Sequence, residues 1–201
     1  MATRVSRIER VGRNREEVLA AARRVFLERG YAGASLDAIA DEAGFSKGVV
    51  YSQFDSKGDL FLALLERRIA DRVAQNEAIA KRSRGFEGMR ALLRAARQDS
   101  EAEAGWGLLL LEFRVHAARD PALNRRYAEA HRRAIDGLAV LFSRLYEEAA
   151  ETPSIPVRQL ALLVLAIGPG VLLERAVDPR ACPHAFIDRA VHRMLGLPKS
   201  D

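Results

Sequence analysis

Apolar residues in this chain recur every three to four positions almost from end to end, and few stretches alternate with period two. That pattern gives each of a succession of helices an apolar stripe and leaves little to line one face of a sheet. The expected fold is all-α, with about nine helices punctuated by glycine and proline. Asn14 and Glu17 form a capping-box pair, after which Val18, Ala21, Ala22, Val25 and Phe26 share one face as far as Gly30. Ser35 opens a second helix that turns Leu36, Ile39, Ala40 and Ala43 inward, and Gly44 stops it. Ser46 opens a short third helix ending near Gln53. Ser56 and Asp59 open a long one that runs to about Arg82, with a break at Gly85. Further helices are expected over 86–100, 104–118, 122–149, 157–177 and 184–195, punctuated by Pro121, Pro153, Pro156, Pro179 and Pro183. Residues 1–13, with Arg4, Arg7, Arg10 and Arg13 at three-residue spacing, read as a flexible basic tail.

A chain of 201 residues that is 49% hydrophobic can bury a substantial core. Its net charge of +5 fits an anionic partner. The single cysteine, Cys182, excludes an intramolecular disulfide and suits a reducing cytoplasm. No apolar run follows the charged N-terminal residues, so a signal peptide is not expected. The longest apolar run, Leu160 to Leu173, is shorter than the roughly 20 residues of a membrane span, and Gly168-Pro169-Gly170 interrupts it. It reads as a buried, kinked helix, and no membrane partner is expected.

The stretch from Ser35 to Phe54, "SLDAIADEAGFSKGVVYSQF", packs two helices around a Gly44-Phe45-Ser46 corner, the layout of a helix-turn-helix. Val50 and Phe54 share one face of the third helix and turn toward Ile39 and Phe26, which leaves Lys47, Gly48, Tyr51 and Ser52 pointing outward. A cation, two hydroxyls and a glycine that permits close approach suit a phosphate backbone. An exposed helical hairpin of a purely structural helical protein is the alternative reading.

The run Gly44-Phe45-Ser46-Lys47-Gly48-Val49-Val50-Tyr51-Ser52-Gln53-Phe54-Asp55-Ser56-Lys57-Gly58-Asp59-Leu60 resembles the TetR family of bacterial transcriptional regulators. The family pattern reads Gly-Val-Ser-Lys-Gly-Thr-Leu-Tyr-x-His-Phe-x-Ser-Lys-x-x-Leu. The likeness covers about residues 14–65, about a quarter of the chain. It implies that residues 14–56 are a DNA-binding head, and that Ser35, Ser46, Lys47, Tyr51 and Lys57 contact DNA while Gly48 allows close approach. Ser52 lies on the same outward face. Val49 stands where threonine is frequent and Gln53 where histidine or tyrosine is frequent, so both bear on operator choice.

The resemblance also implies that residues 57–201 sense a small molecule and dimerise. A helix apolar on every side over Leu160–Leu173 must be covered all round. The expected interface is a four-helix bundle using Leu160, Leu163, Val164, Ile167, Val171, Phe186, Ile187 and Val191, with two-fold symmetry and hence a palindromic operator. Trp106, Leu109, Glu112, Phe113, His116, Tyr127 and His131 are the candidate ligand pocket, with ordinary core packing as the alternative. The run "EFRVHAARDPALNRRY" is weakly similar to the betaine-repressor-type branch of the family. His184, Asp188 and His192 are four apart and have ligand chemistry, but a polar stripe on an amphipathic helix gives the same spacing, so no metal is expected. Nor is an enzyme or a cofactor. The expectation is a cytoplasmic, homodimeric repressor that leaves its operator when a small-molecule effector binds.

Overall fold

The computed structural model describes residues 7–198. Among them the chain forms nine helices and no strand: α1 (Arg7–Gly33), α2 (Leu36–Ala43), α3 (Lys47–Tyr51), α4 (Lys57–Arg82), α5 (Gly85–Ala102), α6 (Ala104–Ala117), α7 (Pro121–Ala149), α8 (Val157–Val177) and α9 (His184–Met194). The all-α expectation holds, and most boundaries fall within a few residues of those read from the sequence. The N-terminus differs. α1 begins at Arg7 and runs straight through Asn14, so Arg7, Arg10 and Arg13 lie on a helix; Arg4 is outside the described residues. Residues 7–13 contain no proline, and their one glycine, Gly12, costs a helix only about 1 kcal/mol, so nothing there stops it.

Two compact units divide the chain. One takes the chain up to Arg68 together with Glu112–Arg126; the other takes Ile69–Leu111 and the chain from Tyr127 onward. The first unit thus extends past the expected boundary at 56/57. Helices α4, α6 and α7 each run through a point of division.

In the first unit the stripe read from the sequence is the core: Val18, Ala21, Ala22, Val25 and Phe26 are buried together with Ile39, Val50 and Phe54. Gly30 breaks α1 with φ 68° and ψ 174°, a backbone conformation that glycine adopts without a Cβ clash. The break turns Tyr31 into an aromatic cluster. Its ring lies 5.8 Å from Phe26, 5.4 Å from Phe61 of α4 and 5.3 Å from Phe113 of α6, and Phe61 stacks on Phe113 at 4.2 Å. The break also frees backbone groups that a continuous helix would pair. Two side chains take them up. Glu112 Oε2 accepts the Tyr31 N–H at 2.7 Å, and the Lys57 ammonium donates to the carbonyls of Tyr31, Ala32 and Ala34 at 2.7, 3.2 and 3.0 Å. Lys57 Nζ also lies 4.6 Å from the centre of the Tyr31 ring. Burial lowers the Lys57 ammonium from its ordinary value, and burial, then the carboxylates of Asp120 and Asp59, pushes the Tyr31 phenol up to about 12.

The second unit is a helical bundle whose core joins Met89 and Leu92 of α5, Phe142, Leu145 and Tyr146 of α7, Leu160 and Ala161 of α8, and Leu195 and Leu197 after α9. Gly88 lets α5 approach: a Cβ there would lie 2.5 Å from the Ser83 carbonyl oxygen and 2.8 Å from Leu145. The Tyr146 hydroxyl donates to the Leu195 carbonyl at 2.6 Å and ties off the end of α9. By length and composition α8 is apolar enough to cross a membrane, with a mean hydropathy of 1.9. Yet only Leu160 and Ala161 are fully buried within one chain. The expectation of a helix covered all round is not met by a single subunit.

Lys57→Met removes the one cation that satisfies three carbonyls. Urea unfolding should show a loss of about 1–3 kcal/mol in the first unit; a midpoint unchanged from wild type would remove Lys57 from its role in the α1 corner.

Candidate nucleic-acid interface and ligand cavity

The hairpin of α2 and α3 is built by its caps. The Ser35 hydroxyl accepts the Ala38 N–H at 3.1 Å, which starts α2. Gly44 ends it in the left-handed conformation, φ 70° and ψ 24°. The Gly44 N–H bonds to the Asp41 carbonyl at 3.2 Å and the Phe45 N–H to the Ala40 carbonyl at 3.0 Å, the paired pattern of a Schellman stop. Ser46 then opens α3 through its backbone, and its hydroxyl makes no capping bond. With Val50 buried against the core, Ser46, Lys47, Gly48, Tyr51 and Ser52 are exposed, Tyr51 by 51%, while Val49 and Gln53 are half-buried.

The outward face is more committed than its residue types suggest. Asp37 on α2 holds two of the expected phosphate contacts at once: Lys47 Nζ lies 2.5 Å from one carboxylate oxygen and the Tyr51 hydroxyl donates to the other at 3.2 Å. The hydrogen bond from Lys47 draws the Asp37 carboxyl below its ordinary value and raises that of Lys47. Ser52 Oγ donates back to the Val49 carbonyl at 2.8 Å, and Gln53 Nε2 to the same carbonyl at 3.3 Å. The other amide atom of Gln53, Oε1, is buried and has no partner. Lys57, expected on phosphate by resemblance, instead directs its ammonium to the three carbonyls of the α1 corner. Asp37 was missed in the sequence, although an acidic residue two positions after a helix cap is a legible sign of a charge placed at a helix start. Glu112, a pocket candidate by sequence, holds the corner of α1 with its carboxylate.

The other pocket candidates also take structural places. Phe113 is the floor of the aromatic cluster in the first unit, and the His116 ring lies 5.0 Å from Tyr31. In the second unit Trp106 and Leu109 are buried in the core, and the rings of Tyr127 and His131 stack at 5.7 Å. The second unit has a different cavity, of about 470 Å³, walled by α5, α6, α8 and α9 and lined by none of these seven residues. Five residues expected at a subunit interface, Val164, Ile167, Val171, Ile187 and Val191, face this cavity instead, and Leu160 is fully buried. Leu163 and Phe186 do remain exposed. The helical period explains the correction: a helix apolar all round has two faces to fill, and periodicity does not say which one looks inward.

At the cavity rim His184 Nε2 lies 3.1 Å from Glu101, and Arg97 donates to Asp188 at 2.9 Å. Two members of the His184–Asp188–His192 stripe are therefore engaged with neighbouring helices. Among the described residues no three His, Cys, Asp or Glu side chains are grouped to hold a metal.

Comparison with known proteins decides the family. Residues 18–64 match the family described as bacterial regulatory proteins, tetR family, and residues 85–196, more than half of the chain, match the BetI-type transcriptional repressor C-terminal domain. The chain belongs to the TetR family. Like its relatives it is a DNA-binding transcriptional regulator and not an enzyme. It is 46% identical over 71 residues to the transcriptional activator FasR of Mycolicibacterium smegmatis, covering 35% of this chain and 31% of FasR. It is 28% identical over 167 residues to the transcriptional repressor AcnR of Corynebacterium efficiens, covering 81% of this chain and 82% of AcnR. The chain thus spans about a third of one relative and four fifths of the other. The fold is shared with the fatty acid degradation regulator FadR of Bacillus halodurans, at a TM-score of 0.72 and 17% identity over 90% of this chain and 94% of that one. FadR of Bacillus subtilis in complex with stearoyl-CoA also gives a TM-score of 0.72, at 15% identity over 92% of this chain and 99% of FadR.

In this TetR-family head Asp37 engages the Lys47 ammonium and the Tyr51 hydroxyl, the two donors expected on DNA phosphate. Asp37→Asn should bind duplex DNA about 2- to 5-fold more tightly near physiological salt, as expected for release of an exposed ion pair. Fluorescence anisotropy checks this; weaker binding would mean that Asp37 orients the two donors rather than occupying them.

Proposed function

We propose that this regulator is a cytoplasmic, ligand-responsive repressor that holds a palindromic operator as a homodimer and leaves it when a small molecule fills the cavity of the second unit. The observation that carries the reading is the division of α8 into two apolar faces. One face, with Val164, Ile167 and Val171, walls the cavity. The other, at three- and four-residue spacing, carries Leu163, Ala166, Gly170, Leu173 and Val177, and Leu163, Leu173 and Val177 are 40%, 48% and 87% exposed. Phe186 of α9, 54% exposed, offers another uncovered ring. An apolar strip of this kind on a helix is a subunit interface, and the small residues Ala166 and Gly170 let two copies of α8 approach closely. A two-fold pair then presents two copies of α3 to a two-fold operator.

On DNA, Ser35, Ser46, Lys47, Tyr51 and Ser52 supply phosphate donors, Gly48 the close approach, and Val49 and Gln53 the base edges. For Gln53 this requires exchange of its bond to the Val49 carbonyl. AcnR, matched over four fifths of its length, is a repressor, which supports repression here. FadR of Bacillus subtilis holds stearoyl-CoA on the same fold, which supports a small-molecule effector. Release follows from linkage: an effector that binds one arrangement of the heads better than another shifts the population toward it. Helices α4, α6 and α7 each belong to both units and are the covalent route for that shift. On α6, Ala104 and Leu108 wall the cavity, and Glu112, one helical turn further on, holds the Tyr31 N–H.

Selection of genomic fragments by the purified protein should enrich a palindrome, and Tyr51→Ala should lose it. Leu173→Glu places a charge on the uncovered face of α8. Sedimentation should then report a monomer, with operator affinity reduced by a factor on the order of 100 or more as the two-headed grip is lost. A variant that still sediments as a dimer would move the interface off α8.

A further inference from the structure

The polar groups around the 470 Å³ cavity are not equivalent, and the difference points to a ligand class. Its volume lies in the range of small-molecule sites, roughly 300–1,000 Å³. Most of the wall is aliphatic, so an occupant needs an apolar body. Of the ionised side chains at the rim, both carboxylates are already satisfied. Asp188 accepts from Arg97 at 2.9 Å, and Glu101 lies 3.7 Å from Arg97 and 3.1 Å from His184. A cationic ligand would have to displace an arginine to reach either one. Arg175 on α8 is different. Its Nη1 donates to the Cys182 carbonyl at 2.7 Å, and among the described residues no carboxylate lies within ion-pairing distance. A guanidinium has five N–H donors, and one of those on Arg175 is engaged. A half-buried cation at an apolar wall, with donors to spare and no counter-charge, is a receptor for an anion, and its planar fork fits a carboxylate in bidentate geometry.

We infer that the cavity binds an amphipathic monocarboxylate whose apolar body lies along α8 and whose carboxylate pairs with Arg175. This rests on the reading of the cavity as the effector site and adds the chemistry that the site selects.

The test compares dodecanoate with dodecanol, by isothermal titration and by operator release, on the full-length protein. Wild type should bind dodecanoate more tightly than the alcohol by about 10- to 100-fold, the worth of a charge-assisted hydrogen-bond pair. Arg175→Gln should lose that preference while binding dodecanol as wild type does. Glutamine keeps an N–H for the Cys182 carbonyl, and an unchanged thermal melt will establish that the fold is intact. Gly168→Leu should weaken both ligands, because Gly168 lines the cavity and a Cβ there meets nothing within 4 Å. Equal binding of acid and alcohol, or an Arg175→Gln variant that keeps the preference, overturns the carboxylate anchor and leaves the effector cavity standing. Tighter binding of dodecanoyl-CoA than of dodecanoate also overturns it, since the thioester has no carboxylate. Failure of wild type to bind either ligand overturns the inference and leaves the cavity to an effector of another class.

Discussion

The break in α1 at Gly30 draws the aromatic cluster, Lys57 and Glu112 of the first unit together. A continuous helix would carry Tyr31 on past the core. The glycine, in a conformation closed to most residues, swings Tyr31 back among Phe26, Phe61 and Phe113, where aromatic pairs each contribute about 0.5–1.5 kcal/mol beyond their buried area. The break frees backbone donors and acceptors, and these recruit one residue from α4 and one from α6. The same feature thus fixes the start of α4, anchors the later half of α6 and sets the position from which α2 begins. A Cβ on Gly30 would lie 2.8 Å from the carboxylate end of Glu112, and at φ 68° a side chain there is strained whatever the space.

The second unit is governed by a different constraint, an excess of apolar surface on α8. Leu160 and Ala161 are buried in the bundle, one later face lines a cavity, and the opposite face stays exposed among the described residues. Length and hydropathy alone would allow this helix to cross a membrane. The match of residues 85–196 to a repressor C-terminal domain sets it instead in the C-terminal domain of a regulator.

Local signals in the sequence carried the fold well. Ser35 and Gly44 bound α2 as caps, Ser56 and Asp59 open α4, and Val50 and Phe54 point inward because four-residue spacing leaves them no other course. Side-chain partners separated by tens of residues were not legible. Nothing in the sequence says that Asp37 reaches Lys47 and Tyr51, that Lys57 turns toward Tyr31, or that Glu112 meets a backbone N–H in α1, because each depends on how helices pack and not on their period. The cavity of the second unit was not legible for the same reason. Aromatic residues on α6 look like the walls of a site, whereas large rings fill cores, and the cavity lies among smaller aliphatic side chains that carry no distinctive signature.

The Asp37 contacts have a consequence for how such a protein searches a chromosome. Random duplex attracts a regulator through phosphates alone, and a head whose lysine is already neutralised from within offers that background less to hold. The ratio of operator to background binding governs occupancy among millions of competing sites. On the proposed reading of the head, an internal carboxylate that dims its charge loosens the hold of every stretch of phosphate alike, so that contacts with base edges must carry more of the grip on an operator.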